Sequence, residues 1–84
     1  MRKLPPLRAL QIFEAAARHA HFSRAATELC ITQSAVSHQV RLLEAHFGER
    51  LFIREGRQLC LTSKGNVLYR ELERIFNELN DLSM

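Results

Sequence analysis

Between Thr32 and Gly48 the residues Val36, Val40, Leu43 and Phe47 recur at helical spacing, and steps of about 100° gather them into one narrow stripe. Ser34, His38, Arg41 and Ala45 fall on the opposite side, with Ser37 at its edge. Thr32 is suited to cap the first turn, Ile31 and Val36 occupy the two staple positions around that cap, and Gly48 is a favourable stop. A helix with one apolar stripe must lie on a core. A chain of 84 residues has room for a single core of modest size and none for a large catalytic cleft. The rest of the chain therefore packs around this helix, and function falls on a surface.

The outward face is unusual in chemistry. Solvated helix faces are commonly rich in Glu and Lys, whereas Thr-Gln-Ser-Ala-Val-Ser-His-Gln over residues 32–39 offers short hydroxyls and amides. Groups of this size can approach base edges closely. The charge distribution agrees. The formal net charge is +3, but through Lys64 there are ten basic residues against five acidic, and thereafter two against four. Ten of the twelve basic residues are Arg, whose planar fork suits phosphate and guanine better than the ammonium of Lys.

Composition excludes several classes. The apolar fraction of 46% and charged fraction of 25% are those of an ordinary folded chain, and no apolar run approaches the roughly 20 residues of a membrane span. Met1-Arg2-Lys3 leads into Leu4-Pro5-Pro6 and not into an apolar signal core, so a cytoplasmic protein is expected. Cys30 and Cys60 lie among Leu and Ile and read as small buried hydrophobes. A disulfide or redox pair is the alternative, without a short spacing motif behind it. His19, His21, His38 and His46 lack the three- or four-residue spacing that aligns metal ligands on a helix, and no metal or cofactor is called for. Ser34, Ser37 and His38 have no acid on the same face to orient the imidazole, which argues against catalysis.

Along the chain, Pro5 and Pro6 precede a first helix through about Arg18, with Leu7, Leu10, Phe13 and Ala17 on its core stripe, widened by Ile12 and Ala16. His19 to Phe22 read as a connection, and Ser23 as the cap of a short second helix whose Ala25, Ala26 and Leu29 face the core. After the helix that ends at Gly48, Leu51-Phe52-Ile53 and Leu59-Cys60-Leu61 form short β-prone runs around Arg54-Glu55-Gly56-Arg57-Gln58, a hairpin with a basic tip. Thr62 caps a last helix in which Leu68, Leu72, Ile75, Leu79 and Leu82 alternate four and three residues apart, a heptad seam flanked by Tyr69 and Phe76. The wing and three helices suffice to close a core, so this seam is expected to hold a second copy of the chain. Residues 1–62 then make one mainly α domain of three helices and a two-stranded wing, and residues 63–84 a helix for self-association.

Taken in this order, the sequence resembles the N-terminal DNA-binding region of LysR-type transcriptional regulators over nearly its whole length. The matching stretches are Leu7 to His19, Phe22 to Leu29 and Thr32 to Val40, followed by Leu42-Leu43-Glu44, Gly48, Leu51-Phe52, Leu61-Thr62 and Gly65. The opening Leu-Pro-Pro-Leu and the Ala-Ala-Ala-Arg-His run are most similar to the branch that contains the glycine-cleavage and β-lactamase regulators. The resemblance implies a winged helix-turn-helix, an antiparallel dimer through the last helix, and binding to an interrupted palindrome in double-stranded DNA. By position it assigns Gln33, Ser34, Ser37 and His38 to bases, Arg41 to a base or a phosphate, Ser23, Arg24 and Thr32 to phosphates, and Arg54 and Arg57 to the wing. His38 stands where Arg is frequent in the family, which bears on base preference. The resemblance also implies an effector-sensing domain beyond residue 84, so that either the sequence is a fragment of a longer protein or the protein is short. The alternative use of this architecture is a protein-interaction winged helix, against which the arginines of the wing argue.

Overall fold

The computed structural model describes residues 3–56 and 58–84. Four helices and a two-stranded antiparallel sheet follow in the order α1 (Leu7–His19), α2 (Phe22–Leu29), α3 (Gln33–Phe47), β1 (Phe52–Glu55), β2 (Gln58–Leu61) and α4 (Ser63–Ser83). The architecture is a mainly helical winged helix, in which α1 is the central element, packed against α2, α3 and α4. Its central place explains its composition. Ala9, Ala15, Ala16 and Ile12 are buried with Phe13, and the alanines let three helices approach one axis.

This corrects the expected stripe of α1. Its buried line runs through Ala9, Ile12, Phe13 and Ala16, while Leu10 and Ala17 are half-buried and Leu7 is 71% exposed. Leu7 lies in the first turn, next to Phe76 and Leu79 of α4 and outside the main core.

Three aromatic rings fasten the wing to the helices. Phe52 of β1 packs against Phe13 at 5.2 Å between centroids and meets Phe22 edge-on at 5.4 Å. That contact draws Phe22 into the helix, so α2 begins one residue before Ser23, and His21 occupies the cap position instead of Ser23. α1 and α2 end on Ala20 and Cys30, both in the left-handed conformation, at φ 53° and 58°. Placed at that turn, the Cys30 thiol is exposed and not the buried hydrophobe expected; Cys60 is half-buried on β2.

The passage from α3 into the wing is organised by Glu44. Its carboxylate accepts from the backbone N–H of Leu51 at 2.8 Å and of Phe52 at 3.4 Å, and it lies 3.4 Å from the Arg50 guanidinium. The hairpin strands are longer than expected: Arg54 and Glu55 belong to β1 and Gln58 to β2, in the register Phe52↔Leu61, Ile53↔Cys60, Arg54↔Leu59 and Glu55↔Gln58. Gly56, at φ 64°, begins the tight turn. Arg57, expected at the tip, lies outside the described residues.

α4 is seated as tightly as α3. The Thr62 hydroxyl accepts from the Gly65 N–H at 3.0 Å and donates to the Arg50 carbonyl at 2.7 Å, so that one side chain caps α4 and ties it to the segment before β1. A Cβ on Gly65 would stand 2.2 Å from the carbonyl oxygen of Leu51, which explains the glycine there. Lys64 lies 4.9 Å over the Phe47 ring. Leu72 is 5% exposed, and Leu68, Tyr69 and Phe76 pack against the same core. The wing and first three helices therefore do not close the core alone. The expected seam is divided: Leu72 is a core residue and Leu68 half-buried, whereas Ile75, Leu79 and Leu82 become progressively more exposed.

Candidate nucleic-acid interface

The start of α3 is fixed before any partner arrives. The Thr32 hydroxyl accepts from the Ala35 N–H at 3.1 Å, Val36 is fully buried, and Ile31 packs against the core on the other side of the cap. With Val36, Val40 and Leu43 buried, the helix cannot rotate, and Gln33, Ser34, His38 and Arg41 are left exposed. Ser37 is half-buried at the edge of this face and accepts from Arg41 Nη1 at 2.9 Å. That bond holds the guanidinium along the helix, close to the serine. Ser23, expected at a helix start, lies in the first turn of α2 with Arg24 beside it, and its hydroxyl is 2.9 Å from His21 Nδ1.

Between α3 and the wing runs a groove of about 540 Å³. Its apolar walls come from Phe22, Val40, Phe52 and Leu59, and three arginines, Arg41, Arg50 and Arg54, line it as well. Arg54 reaches this place because of the hairpin register. It shares a strand face with Phe52 and pairs with the buried Leu59, so its stem leaves the core side of the sheet toward α3. Arg50 was missed in the sequence, where it reads as a turn residue after Gly48. What brings it to the groove is the tertiary grip of Glu44, which no spacing pattern announces. A second, smaller cleft of about 130 Å³ joins His21, Gln33 and Arg54 with Ala20, Phe22 and Leu59.

The charges sort by location. On α1, Arg18 is bound by Glu28 at 2.7 Å and Glu14 at 2.8 Å, and these two carboxylates raise its already high pKa further. On α4, Arg74 is held by Glu71 at 2.8 Å and Glu78 at 3.1 Å, and its pKa is raised likewise. Arg24, Arg41 and Arg54 have no carboxylate partner among the described residues. The paired arginines are thus Arg18 on α1, Arg74 on α4 and Arg50 beside Glu44, whereas Arg41 and Arg54, next to the polar face of α3, are not engaged in this way among the described residues. No three His, Cys, Asp or Glu side chains gather into a metal-ligand set among the described residues. Nor is any described helix long and apolar enough to cross a membrane.

Known proteins share both the sequence and the shape. The chain is 49% identical over 80 residues to a glycine cleavage system transcriptional activator of Escherichia coli (strain K12), an alignment covering 95% of this chain and 26% of that protein. It is 53% identical over 77 residues to the HTH-type transcriptional activator AmpR of Providencia stuartii, covering 92% of this chain and 26% of that one. The chain thus spans about a quarter of the length of these curated relatives. Among solved structures, the BenM_DBD/catB site 1 DNA complex superposes with a TM-score of 0.84 at 29% identity, covering 93% of this chain and 88% of that one. Residues 7–66 match the bacterial regulatory helix-turn-helix protein, lysR family, and the chain belongs to that family.

Proposed function

We propose that this chain binds double-stranded DNA in a sequence-specific manner, as a dimer at an interrupted palindrome, and so controls transcription in the cytoplasm. The observation that carries the reading is the short-chained polar face on α3 with Arg24, Arg41 and Arg54 around it, which have no carboxylate partner among the described residues. Structures of relatives in complex with DNA support it. In this reading α3 enters the major groove. Gln33, Ser34, Ser37 and His38 meet base edges, and Arg41 leaves Ser37 for a guanine or a phosphate. Arg54 and Arg57 follow the wing toward the minor groove, while Ser23, Arg24 and Thr32 hold phosphates. Arg50 joins the phosphate contacts from its place on the groove. The chain acts as a binding module and not as a catalyst; a small-molecule effector would bind outside residues 1–84.

Dimerisation is supported by an apolar recess of about 290 Å³ lined by Leu7, Leu10, Gln11, Phe76 and Leu79, beside the exposed Ile75 and Leu82. Residues 63–84 serve in this proposal both as the support of the core and, from Ile75 onward, as the dimer contact. The decisive experiment is selection of bound duplexes from a random pool, followed by gel shift. A selected consensus with two related half-sites is expected. Ser34→Ala should relax selection at one position by about 1–3 kcal/mol, and Arg54→Ala should weaken all duplexes and flatten the salt dependence. Binding that shows neither sequence preference nor salt dependence would instead favour a protein partner for the same face.

A further inference from the structure

We propose that His21 is a further DNA-contacting residue, donating to a backbone phosphate in the cleft that it forms with Gln33 and Arg54. The inference rests on the duplex-binding reading above and assigns a side chain that this reading leaves unused.

His21 precedes α2 in an extended conformation, φ −165° and ψ 121°, and its side chain makes no capping bond to that helix. The imidazole is held instead by Ser23, whose Oγ lies 2.9 Å from Nδ1. The hydroxyl can serve the ring in both protonation states. In the charged ring Nδ1–H donates to the hydroxyl and Nε2–H is free; in the neutral ring Nε2–H is free in the tautomer whose Nδ1 accepts from the hydroxyl. No acceptor among the described residues takes a bond from Nε2.

The cleft beside this ring is lined by Ala20, His21, Phe22, Gln33, Arg54 and Leu59. Three donor-bearing side chains converge there from three elements, the connection before α2, the start of α3, and β1. Among the described residues no carboxylate lines the cleft. A recess that offers donors and no acid suits an anion with several oxygens. With α3 in the major groove and the wing at the adjacent minor groove, the DNA strand between the two grooves must cross the space between α3 and β1. Its phosphates are the anions delivered to that place.

A phosphate favours the charged ring, and Arg54 from β1 opposes it. Gln33 from α3 and Ser23 from α2 are neutral, and Arg54 is the charged neighbour among the residues lining the cleft. Phosphate contact thus favours protonation of the ring on binding, and duplex affinity gains a component that strengthens as pH falls.

The test uses this 84-residue chain and a pool-selected duplex, with fluorescence anisotropy titrated against salt at pH 6 and pH 8. His38 faces the same duplex, so the readout is the difference between wild type and variant at each pH. His21→Ala is expected to lower affinity at pH 6 on the order of tenfold in 0.1 M salt and to reduce the salt slope by about one ion, with little effect at pH 8. His21→Lys should restore the slope at pH 6 and extend it to pH 8. Inorganic phosphate at matched ionic strength should not displace the duplex more from wild type than from His21→Ala; if it does, the cleft serves free phosphate and the inference falls. Wild-type binding that keeps the same affinity and slope in His21→Ala at both pH values overturns the inference and leaves duplex binding intact. A loss equal at both pH values, with an unchanged slope, would reveal a structural role and also overturn it. Failure of wild type to bind any duplex would overturn the duplex-binding reading itself.

Discussion

Single atoms decide how the reading helix is joined to the wing. The Glu44 carboxylate takes two backbone N–H groups that the turn after α3 would otherwise leave unbonded, at Leu51 and Phe52. Glu44→Ala is expected to cost about 1–3 kcal/mol in urea unfolding, and Glu44→Gln clearly less, because its amide oxygen still accepts. Gly65 is constrained from the opposite direction. A methyl group 2.2 Å from the Leu51 carbonyl has no flexible side chain to displace, only backbone, so Gly65→Ala should destabilise by about 1–3 kcal/mol. A thermal melt within experimental error of wild type would refute this account of the glycine. Both residues belong to stretches that mark the family resemblance, and the structure supplies the physical reason: Glu44 ties α3 to the segment entering β1, and Gly65 lets α4 lie against that same segment.

At the scale of elements, α1 and α2 are joined by an ionic clamp. Arg18 bridges Glu14 and Glu28, and His19 Nε2 approaches Glu28 at 2.6 Å. The bonds from Arg18 and then His19 hold the Glu28 carboxyl down to about 2, from an ordinary 4.5. A lowered carboxylate pKa stabilises the fold fully above about 4.5 and loses that contribution as pH falls toward 2. With Arg18 42% and Glu28 38% exposed, solvent screening keeps the amount on the order of 1 kcal/mol. Wild type and Glu28→Gln should therefore differ in melting temperature at pH 7 and converge near pH 2. A gap that persists at pH 2 would assign the effect to packing.

Legibility in the sequence also varied by element. The limits of α3 were readable because Thr32 and Gly48 are local signals whose chemistry works without the rest of the fold. The start of α2 was not, since Phe22 joins that helix for the sake of a ring on β1, and nothing local announces that Ala20 and Cys30 adopt a glycine-like conformation. The polar face of α3 followed from periodicity alone. Arg50 and His21 did not, because they reach the site through Glu44 and Ser23, partners chosen in three dimensions.

For the whole molecule, the apolar seam of α4 has two employments. Its first half closes the domain core through Leu72, and the second leaves Ile75, Leu79 and Leu82 uncovered. Leu72→Glu would place a charge in the core and unfold the domain, so it cannot test association. The informative variant is Ile75→Glu with Leu79→Glu, which should leave circular dichroism nearly unchanged and convert a dimer to a monomer in light scattering. A dimer that survives both charges would move the contact elsewhere.

The continuity of α4 has a mechanical meaning. It is an unbroken helix of 21 residues, gripped at its start by Thr62 and at its middle by Leu72, and free beyond Phe76. The seven residues from Asn77 to Ser83 extend about 10 Å, so the free part is a short stiff shaft fixed into the hub that carries α3. Inserting Gly-Gly after Phe76 should preserve the melt of the domain and broaden the half-site spacings it selects. In the proposed dimer, torque applied at the far end of such a shaft would turn both reading faces as a crank does, and an operator would then be recognised partly by the twist it asks of the protein.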